Sequence, residues 1–163
     1  MEKTKQSFKV PVQERGITLQ ELPGEITLYF NLGNCSCHCR GCHSQHLWDT
    51  NVLTTYRTPA WIIEQVQHYA SEITAVLFMG GNRNGMDFTK FIQEVVKPVS
   101  QFGKPIGIYL GDWTADDLQE AAQYCRWIKV GRYDDSKGGL ATPGTNQIFL
   151  EVQTDKFQKR KRG

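Results

Sequence analysis

Four of the five cysteines in this 163-residue chain fall between Cys35 and Cys42. A fold stapled by disulfides spreads its cysteines to join distant segments, whereas thiols this crowded would close only tiny loops. The chain must instead be held by an ordinary hydrophobic core. At this length it can build one, burying roughly two-thirds of the surface that its unfolded form exposes. Its balance of 39% hydrophobic and 22% charged residues suits such a core. The crowded thiols themselves read as a metal site.

The rest of the chain alternates strand and helix signals. Glu25 to Leu32 reads as a strand, with Ile26, Leu28, Phe30 and Leu32 alternating against Thr27, Tyr29 and Asn31. Gly33-Asn34 ends it, and the cysteine segment follows as a loop. Thr58-Pro59 is a helix start, with Ile62, Ile63, Val66, Tyr69 and Ala70 at helical spacing behind it. Ala75 to Met79 is a buried strand ending in Gly80-Gly81. A second helix carries Phe88, Phe91, Ile92, Val95 and Val96, and Pro98 should end or kink it. Pro105 to Leu110 is the next strand. Thr114 with Asp117 forms a capping box for a third helix, whose buried face is Leu118, Ala121, Ala122 and Cys125. Trp127 to Val130 and Ile148 to Val152 are the last strands.

This order predicts βαβ units in a single α/β domain with a mainly parallel sheet. Ligands then collect beyond the C-terminal ends of the strands. The cysteine loop and Gly80-Gly81 both follow strands, so both should open onto one edge.

Within the loop, Cys35, Cys39 and Cys42 form a Cys-x3-Cys-x2-Cys spacing. Three thiolates on one loop can hold three irons of a cuboidal 4Fe–4S cluster. The iron without a thiolate is left open to substrate, the same logic as an open catalytic zinc position. Zinc is the rival metal: Cys35, Cys37, Cys39 and Cys42 could supply four sulfurs, with His38, His43 and His46 as further donors. Structural zinc sites, however, set two ligand pairs about a dozen residues apart so that two knuckles face each other. Cys37 then reads as a bystander, and Cys125 as an inert core thiol.

The stretch Gly33, Cys35, Cys39, Gly41, Cys42, His43 and Trp48 resembles the signature of radical S-adenosylmethionine enzymes. More narrowly, it resembles the small activating enzymes of anaerobic ribonucleotide reductase. Leu77-Phe78-Met79-Gly80-Gly81-Asn82 is similar to that family's strand and Gly-Gly-acid turn. Lys129 to Asp134 resembles its late strand, and Thr142 to Gln147 its closing segment, with Asn146 and Gln147 at matching positions. The chain departs from the family at Asn82, which replaces an acid, and at Ser44, which replaces an Asn. The segment before Ile17 has no clear counterpart.

The resemblance implies a partial (β/α) barrel of radical S-adenosylmethionine type over residues 25–152. An N-terminal extension, 1–24, would precede it and a basic tail, 153–163, would follow. It implies Cys35, Cys39 and Cys42 as cluster ligands, and Gly41, His43, Gly80, Gly81 and Asn82 as contacts to S-adenosylmethionine. The implied activity is reductive cleavage of S-adenosylmethionine, with a cluster near the reducing end of the ~ −700 to +450 mV range. The resulting radical would place a glycyl radical on an anaerobic ribonucleotide reductase, the protein partner. A low-potential donor such as flavodoxin or ferredoxin would supply the electron.

Other readings are radical chemistry on another glycyl-radical enzyme or on a small molecule, and a non-catalytic zinc-binding interaction module. Activases of other glycyl-radical enzymes often carry a cysteine-rich insert after the first motif, and nothing of that kind occurs here. The net charge of +2 gives no ground for nucleic acid as a partner. Lys156, Lys159, Arg160, Lys161 and Arg162 read as a solvated tail, or one that docks on an acidic surface or holds nucleic acid weakly. No run approaches the ~18 apolar residues of a membrane span, and Met1 to Lys9 is too polar for a secretion signal, so a cytoplasmic location is expected.

Overall fold

Among the described residues eight strands form one sheet in the order β3-β1-β2-β4-β5-β6-β7-β8. They are β1 Val10–Thr18, β2 Thr27–Leu32, β3 Thr55–Arg57, β4 Ala75–Met79, β5 Ile106–Leu110, β6 Trp127–Val130, β7 Ile148–Gln153 and β8 Lys156–Lys159. The computed structural model describes residues 8–33, 55–131, 148–153 and 156–159. The helices are α1 Pro59–Tyr69, α2 Phe88–Phe91, α3 Lys97–Ser100 and α4 Ala115–Ala122, with a π-helical stretch, Ile92–Val96, joining α2 to α3.

The sheet is open and mixed, where the sequence analysis expects a mainly parallel one. Only the centre, β2-β4-β5-β6, is parallel. The flanking pairs are antiparallel: β1 with β2 and β3, β6 with β7, and β7 with β8. Connection length explains much of this. The parallel neighbours are joined through helices, whereas β1–β2 and β7–β8 are joined by links too short for a crossover. The central strands add in one direction along the sheet, so right-handed crossovers put every helix on the same face. The buried residues of α1, the α2–α3 helix and α4 accordingly share one core with Leu28, Phe30, Val76, Phe78, Ile108 and Ile128.

Local signals explain the helices. Thr58 Oγ1 accepts the Trp61 N–H at 3.1 Å and Pro59 opens α1, whose Ile62 and Val66 are fully buried. At α4 the Thr114–Asp117 capping box forms in both directions. Pro98 does not end its helix. It lacks an N–H and crowds the carbonyl four residues back. The preceding turn widens instead, so that the Lys97 N–H bonds the Ile92 carbonyl, five residues back.

Three strands were not foreseen. Residues 1–24, set apart as an extension, contribute β1 to the sheet between β3 and β2, and Leu22 to a buried cluster. β1 has no clean alternation, because a register shift lies between Val12 and Glu14. Thr55–Arg57 is only three residues long. Lys156–Lys159, expected in a solvated tail, pairs with β7 as an edge strand. Ile26, read as one of the strand's alternating apolar residues, lies just before β2 and is 41% exposed.

Candidate metal centre

Each central strand is followed at its C-terminal end by glycine: Gly33 after β2, Gly80 after β4, Gly111 after β5 and Gly131 after β6. Since these strands are parallel, the four glycines lie on one edge of the sheet. Gly33, the last described residue before the cysteine segment, and the Gly80-Gly81 turn therefore share an edge, while the cysteine loop itself lies outside the described residues.

The Gly80-Gly81 turn is held from both sides. Gly80 and Gly81 have φ of 120° and 140°, in the region that disfavours any side chain. A Cβ on Gly80 would stand 2.9 Å from Asn84 Oδ1, and one on Gly81 would stand 3.2 Å from the Phe91 ring. Asn84 is 2% exposed. Its Oδ1 accepts the Gly81 N–H at 2.7 Å. Its Nδ2 donates to the Leu32 carbonyl at 3.0 Å and to the Gly33 carbonyl at 2.7 Å. The Gly33 N–H in turn bonds the Pro11 carbonyl at 2.8 Å. The end of β2 is thus tied to both β1 and the glycine turn.

On the other side stands Asn82. Its Nδ2 donates to the Asp112 carbonyl at 2.6 Å and to Asp117 Oδ2 at 3.1 Å, and its Oδ1 accepts the Gly111 N–H at 3.4 Å. Arg83 Nε also donates to the Asp112 carbonyl, at 2.9 Å. The side chain expected to meet a ligand is engaged with the β5–α4 connection. Asn84 was missed by the sequence reading. A polar residue three positions beyond a Gly-Gly turn was the available signal, but only the fold shows that it reaches back to β2.

A polar layer borders this edge on the face without helices. The Tyr29 hydroxyl donates to Glu14 Oε1 at 3.0 Å and Asn31 Nδ2 donates to Glu14 Oε2 at 3.0 Å. The Tyr109 hydroxyl donates to Glu21 Oε2 at 2.8 Å, and Lys129 Nζ lies 3.7 Å from the centre of the Tyr109 ring. Partial burial holds the Tyr29 phenol above its usual range, helped by the hydrogen bond to Glu14 and by the charges of Glu14 and Glu21.

Cys35, Cys37, Cys39 and Cys42 lie outside the described residues, as do His38, Gly41, His43, Ser44, His46, Trp48 and the segments 132–134 and 142–147. Among the described residues no group of three or more His, Cys, Asp or Glu could hold a metal. The fifth cysteine, Cys125, is 3% exposed in the helix-side core, and burial pushes its thiol strongly up, so it stays protonated and inert as expected. No helix among the described residues is long and apolar enough to cross a membrane.

The segment 35–42 offers four soft cysteine sulfurs, a donor set that fits iron and sulfide. Comparison with curated proteins and with solved structures gives no match. A family model described as a 4Fe-4S single cluster domain does match, over residues 23–138, a span that takes in every candidate cysteine of the loop and the whole parallel centre of the sheet. The chain therefore belongs to the 4Fe–4S single cluster domain family, and a 4Fe–4S cluster is its cofactor.

Proposed function

We propose that this iron–sulfur protein is a radical S-adenosylmethionine enzyme that installs a glycyl radical on an anaerobic ribonucleotide reductase. The observation that carries the reading is the juxtaposition at one sheet edge. Gly33, two residues before Cys35, is bridged through Asn84 to the Gly80-Gly81 turn. Two motifs of that family, far apart in sequence, thereby meet where ligands of parallel sheets collect. The four-strand parallel centre with its helices on one face also suits a partial (β/α) barrel.

Cys35, Cys39 and Cys42 would hold the cluster through three irons, with the fourth left for S-adenosylmethionine. When bound, the reduced cluster supplies the electron that cleaves the sulfonium to methionine and a 5′-deoxyadenosyl radical. The chain's own residues bind, orient and exclude water. Gly41 and His43 flank the last thiolate and are assigned to the adenosyl part. The contact to the methionine amino group falls to the backbone of Gly80 and Gly81, while Asn82 anchors that turn to Gly111 and Asp112. A low-potential donor such as flavodoxin or ferredoxin would reduce the cluster.

The test is anaerobic reconstitution with iron and sulfide, then an assay for 5′-deoxyadenosine under a strong reductant, with Cys39→Ala as the control. The expected result is 5′-deoxyadenosine from wild type and none from the variant. A glycyl radical signal should appear in electron paramagnetic resonance only with the reductase present. Full turnover by Cys39→Ala would end the reading.

A further inference from the structure

We propose that Asn84 is a positioning residue for the metal centre, holding the strand end from which the cysteine segment leaves. This rests on the reading that Cys35, Cys39 and Cys42 carry the cluster. The argument starts from how completely the carboxamide is used. Its oxygen takes the Gly81 N–H, and its nitrogen is shared between the carbonyls of Leu32 and Gly33. A buried amide with both ends engaged is costly to displace, because every partner would lose its hydrogen bond out of reach of water.

The position gives that rigidity a purpose. Two consecutive carbonyls at the end of a strand normally look for donors in the loop that follows. Here both are met by a side chain from the next strand's turn, 51 and 52 residues further on. Only Asn34 separates Gly33 from Cys35, so the first cysteine is tethered within about 7 Å of Gly33, Cα to Cα, and fixing Gly33 limits where that thiolate can go. The other face of Gly33 is fixed by its N–H bond to Pro11. Asn84 also fixes the turn that carries Gly80 and Gly81, so one residue sets the spacing between two parts of the site. Supporting residues of this kind tune a metal site without touching the metal.

Asn84→Asp separates positioning from packing. It keeps the size and the acceptor for Gly81, but sets a carboxylate against two carbonyls that need a donor. The full chain would be reconstituted anaerobically as wild type, Asn84→Asp, Asn84→Ala and Val99→Ala, the last a buried truncation in α3 away from the edge. The readouts are circular dichroism, the rate of iron loss to a chelator and the line shape of the reduced cluster in electron paramagnetic resonance, without and with S-adenosylmethionine.

Both Asn84 variants should lose iron roughly 10–100-fold faster than wild type, with an altered line shape. Val99→Ala should be destabilised yet keep the wild-type signal. If Asn84→Ala does not fold, Asn84→Asp alone decides. Wild-type iron loss and line shape in Asn84→Asp would overturn the proposal. A wild-type cluster that ignores S-adenosylmethionine while the variants still lose iron faster would instead sink the radical S-adenosylmethionine reading and leave the role of Asn84 standing.

Discussion

The two faces of the sheet are built from alternate residues of the same strands, yet they differ in kind. On the helix-covered face Phe30 stacks on Phe78 at 5.5 Å, Phe91 meets Phe78 edge-on at 5.3 Å, and Trp61 approaches Phe30 at 6.3 Å. Apolar residues run the length of every central strand there. On the other face the buried apolar cluster is small: Leu22, Ala75, Leu77, Trp127 and Phe149. Gly107 belongs to it by what it lacks: a Cβ there would press on Leu22 and Leu77 at 3.1 Å. Toward the C-terminal edge three of the central strands carry polar groups on this face, Tyr29 and Asn31 on β2, Tyr109 on β5 and Lys129 on β6, while β4 stays apolar at Met79. One face supplies cohesion along its whole length. The other gives some of it up nearest the edge where the cysteine segment leaves.

The sharpest way to break that contrast is to truncate each face in turn. Phe78→Ala should cost the most, about 3–5 kcal/mol in urea unfolding, since the ring contacts both Phe30 and Phe91 and leaves a closed cavity. Leu22→Ala should fall at the lower end of roughly 2–5 kcal/mol, because its cluster is smaller and opens toward the polar layer, where the site can relax. Equal losses would show that the faces share stability evenly.

The smallest effect is a pH dependence confined to the polar layer. The Tyr29 phenol sits above its usual range, mainly through burial and then through Glu14. The group's contribution is present below the unfolded value of about 10 and is lost as pH rises through the higher folded value. Wild type should therefore lose stability relative to Tyr29→Phe only above about pH 10, in urea melts run across alkaline pH. Parallel curves through that range would mean that folding does not raise the Tyr29 phenol.

Much of the helix-covered face was legible in the chain itself. Runs such as Ala75–Met79 and the spacing of Ile62 and Val66 specify burial, because apolar periodicity follows directly from strand and helix geometry. The Thr114–Asp117 box and the Thr58-Pro59 start are equally local. β1, β3 and β8 were not legible. Their residues are mixed or basic and their strand state depends on pairing with neighbouring strands, so no short-range pattern announces them.

The candidate site divides in the same way. Cysteine spacing alone pointed to an iron–sulfur centre, since ligand geometry within one short segment depends on few residues. Asn82 and Asn84 could not be told apart by such means: both are asparagines just after a Gly-Gly turn. The fold sends one forward to Gly111 and Asp112 and the other back to Leu32 and Gly33. What the amino-acid order determined by itself was the elements with strong periodicity, their caps and the kind of metal. Only the tertiary structure decided which strands flank the parallel centre and which side chains bind its ends together, because those bonds join residues about 30 to 50 positions apart whose meeting depends on the packed sheet.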